Sequence, residues 1–486
     1  MAPLDCIWQQ GIPLTVRQRS AMEVPRLDTV DLERLGVAED STDPDDLVFK
    51  KVSDNGANIK KAWADDPERW LPCVDHTMEL CTIPFTWTAK RRKGADGAEL
   101  ADAAAAKGSV QASFAKARGL VGYLHVSTIA ESDFHACQRK CGLPEEKVDQ
   151  DVRTRWRSSH AMADQLVYHK SAVLEMDKNP SYKDAGETWG KNKLNFTDWD
   201  HLEESGACLY EASDASQLLE GDKYITSSLV VPMTYKLMAT SAASHPVKFR
   251  NREEDELNDA AVNPVKVAHD KLAPKVQAAR DAYHEQLVDR FDTNLPLPAK
   301  KFYFIAALLD PRFKKLKFKH DGMLQDRRRR EALKWLSEAF NAKYKGKVKA
   351  ADTSEGNAAG RAASTDAPPS AHRKRRKVSA AQFFANSDSE AESSDEEAAV
   401  KDELKEYLEL PQIKYKSEQD AMLWWLEHQK QFPNLEVMAR QYLGCPATSA
   451  TVERLFSKVG IAFSAKRKRS EAATLESLMF TEANLP

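Results

Sequence analysis

The polar segment over residues 344–402 is the feature that most limits how this chain can fold. It contains Gly, Ser, Ala and Pro-Pro, then five Lys or Arg within the six residues 372–377, and then the acidic, serine-rich run 387–397. Such a stretch has too little apolar surface to offset the entropy lost on ordering it. We therefore expect it to be a linker, with folded parts before and after it.

Outside this segment the composition is that of a globular protein, since the 486-residue chain is 42% apolar and 30% charged overall. At about 100–200 residues per domain, its length predicts two or three domains. The longest apolar run, at about eight residues, is Phe302–Leu309. A membrane helix needs about 18 or more, so we expect no membrane partner. Seven scattered cysteines argue against a disulfide framework, and the N-terminus lacks the pattern of a secretory signal.

Hydropathy and turn signals divide the chain into six predicted segments. They are a poorly structured N-terminal segment (1–46), a partial α/β core (47–87), a flexible insertion (88–115), an all-helical domain (116–343), the linker (344–402) and a helical C-terminal region (403–486). Within the core, Leu47–Phe49 with Val52 predicts a short buried strand, followed by a turn at residues 54–56 and a helix. Within the helical domain, Met162, Leu166 and Val173 share one apolar stripe at helical spacing.

A series of short motifs follows in a fixed order between residues 423 and 460. They are Trp425, Phe432-Pro433, Tyr442-Leu443, Pro446–Ala450 and Glu453–Ser457. This order closely resembles the C-terminal dimerisation region of the hAT family of DNA transposases. Four upstream segments resemble other hAT motifs in the family's order, and they are Val52–Trp63, Leu71–Leu80, Asp151–Trp156 and Leu308–Leu316. The resemblance spans roughly residues 47–480, most of the chain.

The resemblance implies a predominantly α chain with an RNase H-like α/β core, N-terminally truncated, that a large all-helical insertion interrupts. In the family, three carboxylates hold two divalent ions. By position, Asp54 would be the second carboxylate and Glu453, 399 positions later, the third. Two metals about 3.5–4 Å apart stabilise the attacking and leaving oxygens of a phosphoryl displacement, and Mg²⁺ prefers oxygen ligands. Mg²⁺ is therefore the cofactor expected of an active copy.

The family's first carboxylate has no counterpart in this sequence. The family places an Asp closely before Trp-Thr-Ser, whereas the nearest text is Asp5-Cys6-Ile7-Trp8, in which Trp stands one position too far and no Thr-Ser follows. We therefore treat Asp5 as a chance match and expect a transposase-derived protein that has lost catalysis. One alternative is an active cut-and-paste transposase with two Mg²⁺ ions. Another is a helical protein-interaction scaffold without DNA binding.

Each candidate site residue also has a purely structural interpretation. Asp54 begins an Asp-Asn-Gly sequence, which on its own is a common turn, and Glu453 would be a favourable charge in the first turn of a helix. Cys73 and His76 form a single pair of metal ligands, and a closed zinc site needs four. The resemblance implies instead that this pair flanks the active site and orients backbone or DNA. Trp156 is either a core residue or, as in the family, a platform for an unpaired base, worth about 1–3 kcal/mol of stacking.

Basic and apolar clusters near the C-terminus predict partners. The further DNA-binding candidates are Arg454, Lys466, Arg467, Lys468 and Arg469. The dimerisation candidates are Trp424, Trp425, Leu443, Val452, Leu455, Phe456 and Val459, the last four at i, i+3, i+4, i+7 spacing. They would form core in a monomer, and the resemblance implies that some pack against a second copy in a homodimer. The linker residues Arg373, Lys374, Arg375, Arg376 and Lys377 suit either nuclear import or a phosphate-binding arm, and we expect a nuclear protein.

Overall fold

The computed structural model describes residues 50–86, 108–152, 155–179, 186–249, 265–317, 322–344, 403–414 and 420–454. These residues are mostly helical, which confirms the predominantly α expectation. The helices are α1 (Ala57–Ala62), α2 (Val74–Thr82), α3 (Val110–Val126), α4 (Thr128–Lys140), α5 (Trp156–Tyr168), α6 (Lys170–Met176), α7 (Gly186–Asn192), α8 (Phe196–Leu219), α9 (Val230–Ser241), α10 (Pro274–Val288), α11 (Leu297–Leu309), α12 (Gly322–Tyr344), α13 (Glu403–Glu409), α14 (Ala421–Glu427) and α15 (Pro433–Leu443). None of these helices is both long enough and apolar enough to cross a membrane.

A parallel pair of strands precedes the helical body. Strand β1 (Lys51–Ser53) pairs with β2 (Trp70–Pro72), and helix α1 connects them. Val52 lies opposite Leu71 in the register, and both side chains are buried. Helix α1 forms where the sequence predicted it. The described residues show only these two strands at this position, so a complete RNase H-like core stays a prediction.

Two sequence-based expectations, one for the helical domain and one for the flexible insertion, were wrong in detail. A second sheet, of antiparallel strands β3 (Val247–Phe249) and β4 (Val265–Val267), lies within the segment expected to be all-helical. Strands of three residues are too short to show a period of two in the sequence. Helix α3 also begins inside the stretch expected to be a flexible insertion, because the hydroxyl of Ser109 caps it by accepting a hydrogen bond from the Ala112 amide at 3.2 Å.

Helix α11 forms the centre of the core. Its sequence is almost entirely apolar, and every residue from Phe302 to Leu309 is buried. A helix that is apolar on all sides must be covered on all sides. Accordingly, α11 packs against β2, α9, α12 and α15. The Tyr303 hydroxyl donates to the carbonyl oxygen of Pro72 at 3.3 Å, which ties the helix to the small parallel sheet.

Two of the motifs that resemble the hAT family are buried charge clusters. Beyond the end of α11, the fully buried Asp310 carboxylate accepts hydrogen bonds from Ser228 at 2.7 Å and from Arg312 at 2.7 and 2.9 Å. Before α5, the buried Asp151 carboxylate accepts two hydrogen bonds from the Arg118 Nε and Nη2 atoms at 2.8 and 2.6 Å. Burial by itself raises the pKa of Asp151. The hydrogen bonds that this carboxylate accepts, with the largest effect from Arg118, lower the pKa by more than burial raises it, so the pKa of Asp151 lies below its ordinary value.

The predicted apolar stripe of the helical domain is divided between two helices. Met162 and Leu166 lie on α5, and Val173 lies on α6. All three side chains are buried, as the stripe predicted. The two helices meet at His169, which is the C-cap of α5 and the N-cap of α6.

The C-terminal region packs onto α11 of its own chain. The indole nitrogen of Trp425 donates to the Leu309 carbonyl oxygen at 2.8 Å, and the Tyr407 hydroxyl donates to the Leu308 carbonyl oxygen at 2.9 Å. The Glu403 carboxylate caps α15 by accepting hydrogen bonds from the backbone amides at residues 434 and 435, each at 3.0 Å. The segment that follows the predicted linker in sequence is therefore part of the main core.

Candidate functional site

The candidate site begins where the C-terminal segment meets the end of β2. The Val74 amide donates to the Ala447 carbonyl oxygen at 3.1 Å, and the Ser449 amide donates to the Cys73 sulfur at 3.3 Å. The Ala447 amide in turn donates to the Thr226 hydroxyl oxygen at 2.9 Å. Backbone and side-chain contacts thus hold residues 447–449 against the first turn of α2.

Glu453 lies on the helical turn that follows, over residues 450–454. The Ser449 hydroxyl donates to its Oε1 atom at 2.8 Å, and the His76 Nδ1 atom lies 3.7 Å from the same oxygen. That separation is too long for a hydrogen bond but close enough for the two charges to interact. The structure therefore brings together a histidine and a carboxylate that stand 377 positions apart in the sequence.

His76 carries a positive charge at neutral pH. Its interaction with the Cys73 sulfur, with smaller contributions from the Glu453 and Glu79 carboxylates, outweighs partial burial and raises the pKa of His76 to about 9. The His76 side chain is 33% exposed and that of Glu453 is 44% exposed. A partly exposed cation thus lies at the surface of the site, beside a carboxylate.

Asp54 lies at the same edge of the small sheet. It follows β1 directly, and its carboxylate accepts a hydrogen bond from the Gly56 amide at 3.0 Å, so the local turn predicted for this residue is present. The Asn55 amide nitrogen donates to the Thr77 hydroxyl oxygen at 2.8 Å, which ties the turn to α2. Because β1 and β2 are parallel neighbours, their carboxyl ends meet at one edge of the sheet. Asp54 and the start of α2 therefore share that edge.

The described donors do not make up a metal site. No group of three or more His, Cys, Asp or Glu side chains within the described residues is arranged to hold a metal ion. Two Mg²⁺ ions would require several carboxylate oxygens around a common point. We therefore derive no metal-dependent step from these residues, and the metal role predicted for Asp54 and Glu453 stays a prediction.

A network of charged residues behind His76 had not been predicted. The Ser216 hydroxyl donates to the Asp75 carboxylate. Burial, followed by the nearby Glu220 carboxylate, raises the pKa of Asp75 to about 6. The Arg157 guanidinium donates to Glu220 at 2.5 Å, and the Arg454 guanidinium donates to the Glu220 carbonyl oxygen at 2.9 Å. The end of α8 thus connects α2, α5 and the C-terminal segment.

The residues of this network differ in how far local sequence could indicate them. Asp75 lies inside the Cys-x-x-His segment and Arg157 follows the Arg-Trp motif, so both were adjacent to residues already singled out. Glu220 had no signal of its own, because an acidic residue at the end of a helix is ordinary in sequence. Only the fold shows that α8 ends at the candidate site.

Two predicted DNA contacts are corrected by burial. Trp156 is 2% exposed and is part of the core, so no face of its indole is open to an unpaired base. Cys73 is 1% exposed and its sulfur accepts a hydrogen bond from Ser449. The Cys73 sulfur thus contacts the backbone of its own chain, and its burial keeps it from reaching DNA. His76 and Arg454, whose side chain is 45% exposed, remain accessible.

Three predicted dimer contacts are also corrected. Trp424, Trp425 and Leu443 are 6%, 0% and 1% exposed within a single chain. Their large apolar surfaces pack against their own core, so they cannot contact a second copy directly. Val452 is half-buried. The other predicted residues lie outside the described ranges, and they are Asp5, Leu455, Phe456, Val459, Lys466–Arg469 and Arg373–Lys377.

Comparisons with known proteins find family models that match two separate segments of the chain, and relatives that align with most of its length. Residues 403–485 match the model of the hAT family C-terminal dimerisation region, and residues 101–204 match the ZBED1 RNase-like helical domain. The chain is 23% identical over 445 residues to human zinc finger BED domain-containing protein 4, in an alignment that covers 90% of this chain and 31% of that protein. The chain is also 22% identical over 390 residues to the putative AC transposase of Zea mays, in an alignment that covers 76% of this chain and 40% of that protein. The chain thus spans less than half the length of either relative.

Proposed function

Because this chain is a hAT transposase-derived protein with a dimerisation region at its C-terminus, we propose that it acts as a nuclear, DNA-binding homodimer without strand-cleavage activity. The observation that carries the proposal is the match of residues 403–485 to the hAT dimerisation region. That region supports self-association, and the accessible cations beside it support DNA binding.

The buried side chains of the C-terminal region support a particular site of self-association. Trp425 and Leu443 anchor the region to its own chain, so the contact with a second copy must use other residues. The stripe that begins at the half-buried Val452 and continues through Leu455, Phe456 and Val459 has the spacing of one helical face. We expect this face to pack against its counterpart in the second chain.

The full-length chain is expected to sediment as a dimer at micromolar concentration. Replacing Leu455 and Phe456 together with Asp should weaken association by about 100-fold or more, since burial of each large apolar side chain contributes about 1.5–3 kcal/mol before entropy costs. Sedimentation velocity over a concentration series measures this change. The conservative pair Leu455→Met with Phe456→Leu is the matched control and should still dimerise.

Circular dichroism distinguishes a lost interface from a lost fold in the same samples. The Asp variant should keep the helical signal of the parent protein while it sediments as a monomer. A parent chain that is monomeric at micromolar concentration would argue against the dimer. So would a folded Asp variant that remains fully dimeric.

Accessible cations around the candidate site support DNA binding. His76 is charged and partly exposed, and Arg454, one position after Glu453 and 3.5 Å from Asp222, has a side chain that is 45% exposed. The basic run Lys466–Arg469 follows Arg454 by twelve residues. When such cations bind DNA phosphates, the counterions condensed on the DNA are released. Binding to duplex DNA should therefore weaken steeply as the salt concentration increases.

The salt dependence of DNA binding tests this part of the proposal. Arg454→Ala should reduce the slope of log K against log salt by about 1. Replacing Lys466–Arg469 with Ser should reduce it by roughly 3–4, at about 0.9 per phosphate contact. Fluorescence anisotropy with labelled duplex measures both slopes, and Arg139→Ala on α4 is the control that should change neither. If the parent chain shows no salt-dependent binding, the protein-interaction scaffold is the better interpretation.

Loss of catalysis is proposed because residues 1–53 contain no Asp closely followed by Trp-Thr-Ser. Asp54 and Glu453 lie at the same end of the small sheet, and we propose that this edge descends from the RNase H-like active site of an ancestral transposase. Incubation with Mg²⁺ and DNA should leave the strands intact. Mg²⁺-dependent cleavage that disappears in Glu453→Gln would instead favour an active transposase.

Nuclear localisation rests on the linker sequence. The basic run Arg373–Lys377 lies within the polar segment and fits the composition of an import signal. Microscopy of a fluorescent fusion in which this run is replaced with Ser should show loss of nuclear accumulation. Unchanged accumulation would reject this role for the basic run.

A further inference from the structure

Two cysteines lie one turn apart at the end of α4, away from the candidate site. Cys137 lies on the last turn of the helix and Cys141 is its C-cap, with the Cys141 amide donating to the Cys137 carbonyl oxygen at 2.9 Å. Residues at i and i+4 face the same side of a helix, with about 5–6 Å between their Cβ atoms. Both thiols therefore project from one face.

This pair differs from the other cysteines in the described part of the chain. Cys137 and Cys141 are free and half-buried, so solvent reaches both. Cys73, Cys81 and Cys445 are buried. Cys208 is half-buried as well, but no other cysteine stands within one helical turn of it in the sequence. An accessible pair of neighbouring thiols thus occurs at one place among these residues.

We propose that Cys137 and Cys141 form a dithiol site that chelates thiophilic ions, in particular trivalent arsenicals. A direct disulfide would need Cβ atoms about 3.8 Å apart, which is shorter than the helical spacing allows without movement of the backbone. An ion between the two sulfurs spans a longer distance and leaves the helix intact. Thiolate ligands also select soft ions over hard, oxygen-preferring ones.

The groups around the pair favour chelation over fast thiol chemistry. Glu175 on α6 lies beside Cys137, together with Asp133 and Lys140 on α4. Burial, followed by the Glu175 carboxylate, raises the pKa of Cys137, so this thiol is largely protonated at neutral pH and is a slow nucleophile. A bound ion displaces those protons, and the second thiol then binds within the same molecule at high effective concentration.

The reaction with a monosubstituted arsenical is balanced without an oxidant. Hydrated phenylarsine oxide carries two hydroxyl groups on arsenic. Each thiol gives up its proton and forms one As–S bond, the two hydroxyl groups leave as two water molecules, and arsenic stays trivalent. A lone thiol forms only one such bond, which an excess of a free monothiol readily exchanges.

Intact-protein mass spectrometry of the full chain tests the site. In excess β-mercaptoethanol, the parent protein should retain one phenylarsenic group, and peptide mapping should place it on the segment that contains Cys137 and Cys141. Cys137→Ser and Cys141→Ser should each lose the adduct. Cys208→Ser and Cys6→Ser are matched controls that should keep it.

The outcomes separate the proposal from a general reactivity of the chain. Retention of the adduct by folded Cys137→Ser or Cys141→Ser would overturn the proposal, as would the absence of an adduct on the parent protein. Cys141 is the C-cap and lies outside the helix proper, so Cys141→Ser tests the site even if Cys137→Ser fails to fold. The same test does not depend on dimerisation or on DNA binding.

Discussion

Asp151→Ala is expected to lower the free energy of unfolding by about 3–5 kcal/mol, because it leaves a buried arginine without its counter-charge. The Asp151 side chain is 0% exposed and that of Arg118 is 9% exposed, with 2.6 Å between the closest charged atoms. Ser159 on α5 donates to the same carboxylate at 2.7 Å. The substitution therefore releases both α3 and α5 from one anchor. Chemical denaturation followed by circular dichroism measures the loss.

Two matched variants identify the cause of that loss. The exposed pair Arg139–Glu145, with side chains 58% and 44% exposed, is the control, and Glu145→Ala should change stability by less than about 1 kcal/mol. The double substitution Arg118→Met with Asp151→Leu removes both charges together and should recover much of the stability. A loss in Asp151→Ala no larger than that in Glu145→Ala would show that the buried ion pair does not hold these helices together.

Trp425→Ala is expected to destabilise the protein by about 3–5 kcal/mol, the usual cost of removing a buried indole from a core. Trp425 is fully buried, and its indole nitrogen donates to the Leu309 carbonyl oxygen at the end of α11. Trp425→Phe keeps most of the apolar volume but leaves that carbonyl without its donor, at a cost of about 1–3 kcal/mol. Thermal and chemical unfolding measure both variants, and the exposed Gln429→Ala is the control.

The same variants separate folding from self-association. Because Trp425 packs inside its own chain, folded Trp425→Phe should dimerise as the parent protein does. The Leu455 and Phe456 substitutions should instead weaken association with little loss of helical structure. A folded Trp425→Phe that is monomeric would mean that the indole contributes to the contact between copies.

Local sequence could predict those features that depend on local chemistry. The Asp-Asn-Gly turn at Asp54, the helix that follows it and the apolar stripe through Met162 and Leu166 all depend on neighbours within a few positions. The C-terminal motifs were recognisable because they stand in a fixed order over a short span. Such patterns carry their structural meaning without the rest of the fold.

Features that depend on contacts between distant segments could not be predicted. An amphipathic face does not show whether its partner lies in the same chain, and the fold shows that Trp424 and Trp425 face inward. The Arg-Trp motif did not show that Trp156 is buried. Glu220 meets Arg157 and Arg454 only because the end of α8 lies beside the C-terminal segment. The short strand β3 has too few residues to show a period.

Native-state hydrogen exchange tests most directly whether the C-terminal segment completes the candidate site. The amides of Val74, Ala447 and Ser449 donate to partners across this contact at 3.1, 2.9 and 3.3 Å. They should therefore exchange far more slowly than amides of an unstructured peptide. If the amides of Ala447 and Ser449 exchange at unprotected rates while α8 stays protected, the segment does not rest on α2. Glu453 would then not be held beside His76.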